Sequence, residues 1–212
     1  MSIQPDRQRE IQAITMQISI ILGHPDASSF NHAIAKAAVE ELEHRGHTVC
    51  FHDLYAERFD PLITKDEFSR DARLPPEIQK HCEELKAADG IIVVHPNWWG
   101  QPPAILKGWI DRVVRPGVAY RFQENDSGEG IPVGLLKARH AVIFNTANTP
   151  AAREAEVFGD PLERLWKDCV FRFCGISAIQ RKTFSVVVTS SLEQRTAWLA
   201  EARSILAETF GG

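Results

Sequence analysis

The sequence predicts an α/β protein built on one parallel sheet with helices on both faces. Three observations lead there. Short β-branched runs alternate along the chain with amphipathic helical stretches. One of those runs, Ile91-Ile92-Val93-Val94, is apolar without a break, as a strand covered on both faces must be. Alternating strands and helices in turn require right-handed crossovers, which place helices above and below the sheet. With 212 residues, 44% hydrophobic and 25% charged, the chain is sized for one well-packed domain, expected over residues 16–212. Residues 1–15 have no clear place in the sheet and read as a mobile arm or as a packing arm for a second subunit.

The first strand is Gln17-Ile18-Ser19-Ile20-Ile21-Leu22, stopped by Gly23. A helix follows from Asn31 to Arg45, with Ile34, Ala38 and Leu42 along one face and Gly46 to end it. The second strand lies in His47 to Leu54. Asp60-Pro61 and the polar run to Asp71 predict a long connection, then a helix from Pro75-Pro76 to near Ala88. The third strand is the 91–94 run. After it, three prolines and a glycine stiffen the loop from His95 to Pro103, and Pro103 is placed to open the next helix. That helix, Ala104 to Val114, aligns Ile105, Leu106, Trp109, Ile110 and Val113 on one face, with Lys107, Asp111 and Arg112 away from it. Residues 121–138 read as a loop, His140 to Asn145 as the fourth strand, and Thr146 to Asp160 as a second loop. Pro161 opens a helix toward Cys174-Gly175, a fifth strand lies within Ile176 to Val188, and Ser191 to Phe210 closes the chain as a helix. Five such strands predict a flavodoxin-like three-layer α/β/α sandwich, a five-stranded parallel sheet of order 2-1-3-4-5 whose switch point lies between strands 1 and 3.

Ligands of such sheets bind beyond the carboxyl ends of the strands, which singles out two turns. Between the first strand and first helix, His24-Pro25-Asp26-Ala27-Ser28-Ser29-Phe30-Asn31 brings backbone N–H groups, two hydroxyls, an imidazole and an amide to a helix N-terminus, a setting that favours a bound anion. One serine is accounted for by helix capping; the remaining residues favour phosphate. In the other turn, Trp98 and Trp99 offer flat apolar surface to a planar ligand, or simply close the core. No GxGxxG or GxxxxGK[ST] run occurs, which argues against a Rossmann site or a nucleoside triphosphatase.

Other features exclude function classes. A net charge of −4 gives no general attraction to phosphodiester backbones, so no nucleic-acid partner is expected. The N-terminus is polar and no run approaches spanning length, so no membrane insertion and a cytoplasmic location are expected. Cys50, Cys82, Cys169 and Cys174 form no CxxC pair and read as reduced packing residues. His44, His47 and His52 have no defensible metal spacing and read as solvated; Asp53 reads as a turn former.

The strand ending in HPDASSFN, then DLYAERFDPLIT at 53–64, then HPNWWGQPPAILKGWIDRVV at 95–114 with Ala119-Tyr120 soon after, resembles the NAD(P)H:quinone oxidoreductases and their bacterial relatives. The likeness runs through most of residues 17–120, and PAILKGWIDRV is its most specific segment. The resemblance implies a homodimeric flavoprotein that takes hydride from NAD(P)H onto flavin N5 and passes it to a quinone, or to a nitro- or azo-compound, in a ping-pong cycle. It implies that His24, Ser28, Ser29, Phe30 and Asn31 hold the flavin's phosphate region, and that Pro96, Asn97, Trp98, Trp99 and Gly100 line the ring. Backbone N–H groups of 96–99 and of Thr146, Ala147, Asn148 and Thr149 would then stabilise charge on the reduced ring. The cofactor is FAD or FMN, with FAD favoured, and NAD(P)H is the co-substrate.

The carboxyl-terminal half departs from that family's pattern. Where its members carry a Thr-Thr-Gly-Gly run followed by a tyrosine and a histidine, this chain has Asn145-Thr146-Ala147-Asn148-Thr149-Pro150, and 151–158 holds neither Tyr nor His. Glu154 and Glu156 are not obvious replacements, so no catalytic side chain is assigned. Tyr120 and Phe122 either roof a partner's flavin or pack locally. Two other readings stay open: an electron carrier of the same fold, and a flavin-binding regulatory subunit of a transporter.

Overall fold

The computed structural model describes residues 15–69, 72–124 and 130–211. The expected N-terminal arm lies, but for residue 15, outside the described residues. Five strands form one parallel sheet: β1 (Gln17–Leu22), β2 (Thr48–Asp53), β3 (Gly90–Pro96), β6 (His140–Ala147) and β7 (Ala178–Ser185). Their order, β2-β1-β3-β6-β7, is the expected 2-1-3-4-5. Between β3 and β6, β4 (Tyr120–Phe122) and β5 (Pro132–Gly134) make a small antiparallel pair.

Period-two alternation sorts the strands' side chains into two cores. Ile18, Ile20 and Leu22 of β1, with Ile92 and Val94 of β3, meet α1 (Phe30–His44) and α6 (Leu192–Phe210) on one face. Ile21, Ile91 and Val93 meet α2 (Pro76–Ala87), α3 (Ala104–Val113) and α5 (Pro161–Arg164) on the other. β3 is buried at every position, which is why its sequence carries no polar alternation.

Four expectations need correction. Residues 121–138 hold the β4–β5 pair, set against Phe173, whose ring centroid lies 4.8 Å from that of Tyr120. Within the expected 146–160 loop lies α4 (Ala151–Phe158), and α5 continues as a π-helical stretch over Leu165–Arg172. Pro103 is the N-cap of α3 rather than its first residue; the helix starts at Ala104 as expected and ends at Val113, with Val114 its C-cap. Arg112 does not face solvent: it is buried, with Nε and Nη2 2.9 and 2.8 Å from the two oxygens of Glu67 and Nη1 2.6 Å from Asp60 O. A helical arginine can turn inward when its partner comes from another segment, here the 3₁₀ turn at Lys65–Phe68.

Gly108 is where that connection touches α3. A Cβ there would lie 2.3 Å from both the Cβ and the carbonyl oxygen of Pro61. Helix interiors ordinarily gain about 1 kcal/mol when glycine becomes alanine. Gly108→Ala is expected to reverse that sign and lower stability by about 1–3 kcal/mol, read as a fall in the urea midpoint.

Candidate active site

The two informative turns meet. A cavity of about 400 Å³ at the carboxyl ends of β1, β3 and β6 is lined on one side by His24, Asp26, Ser29, Phe30 and Asn31. Pro96, Asn97 and Trp98 face it, together with Thr146, Ala147, Asn148 and Thr149. The His24 and Trp98 rings touch, their centroids 6.1 Å apart, and so join the two turns at its wall. A second cavity of about 340 Å³ shares Asn97, Ala147, Asn148 and Thr149, and adds Trp99, Gly100 and Glu154. Thirteen of the fourteen expected site residues line one cavity or the other, all but Ser28.

Several of them play parts other than those expected. Ser28 turns away from the cavity's polar wall: its N–H and hydroxyl donate to Asp26 Oδ1 at 2.8 and 2.7 Å. These bonds hold the Asp26 carboxyl below its usual range, so it stays ionised beside the cavity. Ser29 is the N-cap of α1, its Oγ accepting from His32 N, and it also lines the cavity. The Asn31 amide is buried and donates to Thr146 Oγ1 at 2.9 Å. It ties the first loop to the fourth. The N–H groups of Asn97 and Trp98 are likewise committed, to Thr146 O at 2.7 Å and Gln101 O at 3.0 Å, so these two do not supply the charge stabilisation expected of the 96–99 turn.

Trp99 is fully exposed with φ of +57°, a left-handed conformation rare for a bulky residue, and Gly100 follows at +71°. Two consecutive positive-φ residues make the turn that presents Trp99 at the cavity mouth.

Behind the turn runs a buried polar network. His95 is wholly enclosed; its Nδ1 donates to Pro96 O at 2.8 Å, and its Nε2 accepts from Trp166 Nε1 and Asn145 Nδ2, each at 2.8 Å. Tryptophan and the amide NH₂ can only donate, so His95 is the neutral Nδ1–H tautomer. Burial, aided by the Arg181 charge, pushes its imidazole down to about 3 against the pull of the Pro96 carbonyl. Asn145 Oδ1 accepts from Arg181 Nε at 2.7 Å, and Arg181 is anchored on Asp160 and Glu163. The network fixes the Pro96 carbonyl where the chain leaves β3.

Sequence reasoning passed over Glu154. It is buried, lines the second cavity, and accepts from Asn97 Nδ2 at 2.9 Å. It occupies the first turn of α4, where a carboxylate gains from the helix dipole, and α4 was read as loop. Val187 and Val188, just past β7, complete the first cavity's apolar side. A Pro150 N-cap before Ala-Ala-Arg-Glu was the signal available for α4.

Away from these cavities, His47 and His52 are buried rather than solvated: His47 Nε2 lies 2.8 Å from Phe210 O. His52, Glu57 and His81 bring ligand atoms within 4.8 Å of one another, a spacing open to a metal. Trp109 Nε1 donates to His81 Nδ1 at 3.2 Å, so His81 must carry its proton on Nε2, which faces Glu57 Oε2 at 3.4 Å. A protonated nitrogen cannot ligate, and the cluster is better read as a hydrogen-bond network. Burial opposes the Glu57 charge, but the bonds from His52 and His81 outweigh it and bring the carboxyl down to about 2. Asp53 does form the turn, its Oδ1 accepting from Tyr55 and Ala56 N. Cys82 and Cys174 are buried thiols pushed up to about 11 by burial, whereas Cys169 is exposed.

With this geometry in hand, the comparisons with known proteins agree on the family. The Flavodoxin_2 family, described as having a flavodoxin-like fold, matches residues 16–209. The chain belongs to that family. It is 33% identical over 169 residues to an uncharacterized NAD(P)H oxidoreductase of Haemophilus influenzae, covering 78% of this chain and 81% of the relative. It is 32% identical over 183 residues to rat NAD(P)H dehydrogenase [quinone] 1, covering 76% of this chain but 65% of that relative, just under two thirds. Among solved structures, the NAD(P)H:quinone oxidoreductase from Methanothermobacter marburgensis superposes with a TM-score of 0.77 at 25% identity, covering 90% of this chain and 97% of that one. Oxidoreductase, the class expected from the sequence, is the class these family relatives carry in their names. No helix among the described residues is long and apolar enough to cross a membrane.

Proposed function

We propose that this chain is a flavin-dependent NAD(P)H oxidoreductase that reduces quinones, or nitro- or azo-compounds, in a ping-pong cycle as a homodimer. The observation that carries the proposal is the cavity shared by the HPDASSFN and HPNWWG turns, polar at His24 and Ser29, apolar at Pro96, Trp98, Ala147 and Val187. That polarity fits a flavin, whose phosphate end is anionic and whose ring is flat and largely apolar. FAD is our preferred form.

When bound, the flavin supplies two-electron hydride chemistry, and the protein positions and encloses it. His24 and the Ser29 hydroxyl bind the anionic end. Burial holds the His24 imidazole below its ordinary value, and with Nδ1 accepting from Asp26 N the neutral ring has Nε2–H left to donate. Pro96 and Trp98 form a wall, with Asn97 held by Glu154 and by Thr146 O. The second cavity, opening past Trp99 and Phe158, is where nicotinamide and acceptor would take turns, and one cavity serving both is the physical basis of a ping-pong cycle. Exposed Trp99, Val157 and Phe158 beside its mouth support pairing with a second copy.

The test is the protein's visible spectrum and the mass of the released flavin, followed by NAD(P)H oxidation at several fixed quinone concentrations and by sedimentation. Flavin absorbance, parallel double-reciprocal lines and a dimeric mass are expected. Bound flavin with negligible turnover on every acceptor would favour the carrier or regulatory reading instead. Trp99→Gly separates strain from function: relieving the positive φ leaves stability unchanged or up to about 1 kcal/mol higher. Loss of the flat face should nonetheless cut kcat/KM about tenfold or more.

A further inference from the structure

His32 stands directly behind the anion end of the cavity and touches no part of the expected motif's function. Its Nδ1 lies 3.0 Å from Ser29 Oγ and its Nε2 lies 2.9 Å from Asp53 Oδ2. Asp53 is fixed in turn by the N–H groups of Tyr55 and Ala56 on its other oxygen. The result is a line from β2 through the ring to the one serine hydroxyl of this loop that lines the cavity.

The line admits two proton arrangements that differ by one proton on the ring. Facing a carboxylate, Nε2 carries a proton. In the arrangement without the extra proton, Ser29 Oγ accepts from the His32 backbone N–H at 3.3 Å and its hydroxyl proton points to a bare Nδ1. An anion in the cavity reverses this. The Ser29 O–H then donates to the anion's oxygen, Nδ1 loses its donor, and the ring restores the bond by taking a proton from solvent and donating Nδ1–H to Ser29 Oγ. The imidazolium that results sits between Asp53 and the anion. Asp26 and His24 are the other titratable groups facing the ring; the His24 ring meets it edge-on at 6.2 Å. Asp26 favours the added proton and a charged His24 would oppose it, and burial keeps His24 toward its neutral form.

We propose that His32 is a positioning residue for the cofactor's phosphate region, which it serves by taking up a proton as the phosphate binds, so that the Ser29 hydroxyl is freed to donate. This rests on the flavin reading above. It concerns the phosphate end alone, so flavins with and without phosphate should differ.

The test uses flavin-free protein and reads binding, not turnover. FAD is the first probe because its pyrophosphate has no ionisation near neutrality, and riboflavin is the phosphate-free comparator. Calorimetry in two buffers of different ionisation enthalpy should show net proton uptake on binding FAD and none on binding riboflavin. FAD affinity should fall with rising pH by up to about tenfold per unit, the limit for one linked proton. Riboflavin affinity should stay flat. His32→Gln, which can donate to Ser29 without titrating, should still bind FAD but with the pH slope and proton uptake lost, and a merely structural role for His32 would not give that pattern. If FMN is the flavin bound, its own second ionisation affects both proteins alike, and the difference between them is the measure. Equal slopes in wild type and His32→Gln, or uptake that riboflavin reproduces, would overturn the role of His32 while leaving the flavin site intact. Failure of every flavin to bind would overturn both.

Discussion

Between about pH 6.5 and 4.5 the unfolding free energy is expected to fall by about 1.4 kcal/mol per pH unit, the value for one linked proton. The proton is that of His95. In the folded chain its imidazole is neutral and held down to about 3, whereas the unfolded ring protonates below about 6.5. The unfolded state therefore binds the extra proton, stability is complete above the unfolded value, and it is lost progressively as pH falls toward 3. His24, also lowered, adds a smaller part of the same sign. The depressed carboxylates Glu57, Glu67 and Asp89 begin to lose their contributions only from about pH 5 downward, so they steepen the slope at the bottom of this window and not above it. Urea titrations at half-unit steps from pH 8 to 4.5 measure the slope. His95→Phe should flatten it, at a cost of about 3 kcal/mol or more at pH 8, because Trp166 Nε1, Asn145 Nδ2 and Pro96 O lose their partner in a dry interior. A wild-type slope below about a third of the expected value would mean that the interior admits water to His95 and that the network is not closed.

The sheet was legible in the sequence because burial on both faces leaves a mark that needs no partner: β3 reads as apolar at every step. The two loops were legible by position, since strand order puts them at the same rim. Features that depend on distant partners were not. Arg112 looked like a solvated residue of an amphipathic helix, and only Glu67, 45 positions away, explains its burial. Ser28 and Ser29 are equivalent as letters; which one caps α1 and which one binds Asp26 is decided by the path of the turn. The bond from the Asn31 amide to Thr146, 115 residues on, leaves no local mark either. Glu154 was dismissed because a carboxylate does not resemble the tyrosine and histidine that were sought, yet its place in α4 aims it into the second cavity, and a search by position rather than by residue type would have kept it. His32 shows the same limit, since its partners Ser29 and Asp53 are joined only when β2 lies beside β1.

The second large effect should come from the Arg112–Glu67 pair. Both side chains are buried, and the guanidinium meets the carboxylate through two parallel bonds while Phe59 lies beneath it at 5.9 Å. Burial works against the Glu67 charge, but Arg112 and Thr64 outweigh it and leave the carboxyl below its ordinary value. Arg112→Leu leaves that carboxylate enclosed with only Thr64 to bond, and Glu67→Leu leaves the guanidinium with Asp60 alone, its carbonyl at 2.6 Å and its carboxylate at 3.5 Å from Nη1. Arg112→Leu should cost about 3–5 kcal/mol, since an orphaned buried charge is worse than no charge at all, and Glu67→Leu less, because Asp60 still pairs with the guanidinium. The double variant removes both charges and should cost clearly less than the sum, with a coupling of about 2 kcal/mol or more in the cycle of urea midpoints. It should also lose less stability than wild type as pH falls below about 4.5, because a group with a depressed folded value loses its contribution on acidification and Glu67 would no longer be present to do so. Strict additivity would show that the two charges are separately solvated. In that case the 59–69 connection would be held to α3 by the packing of Pro61 on Gly108 and of Phe59 in the core, and not by the ion pair.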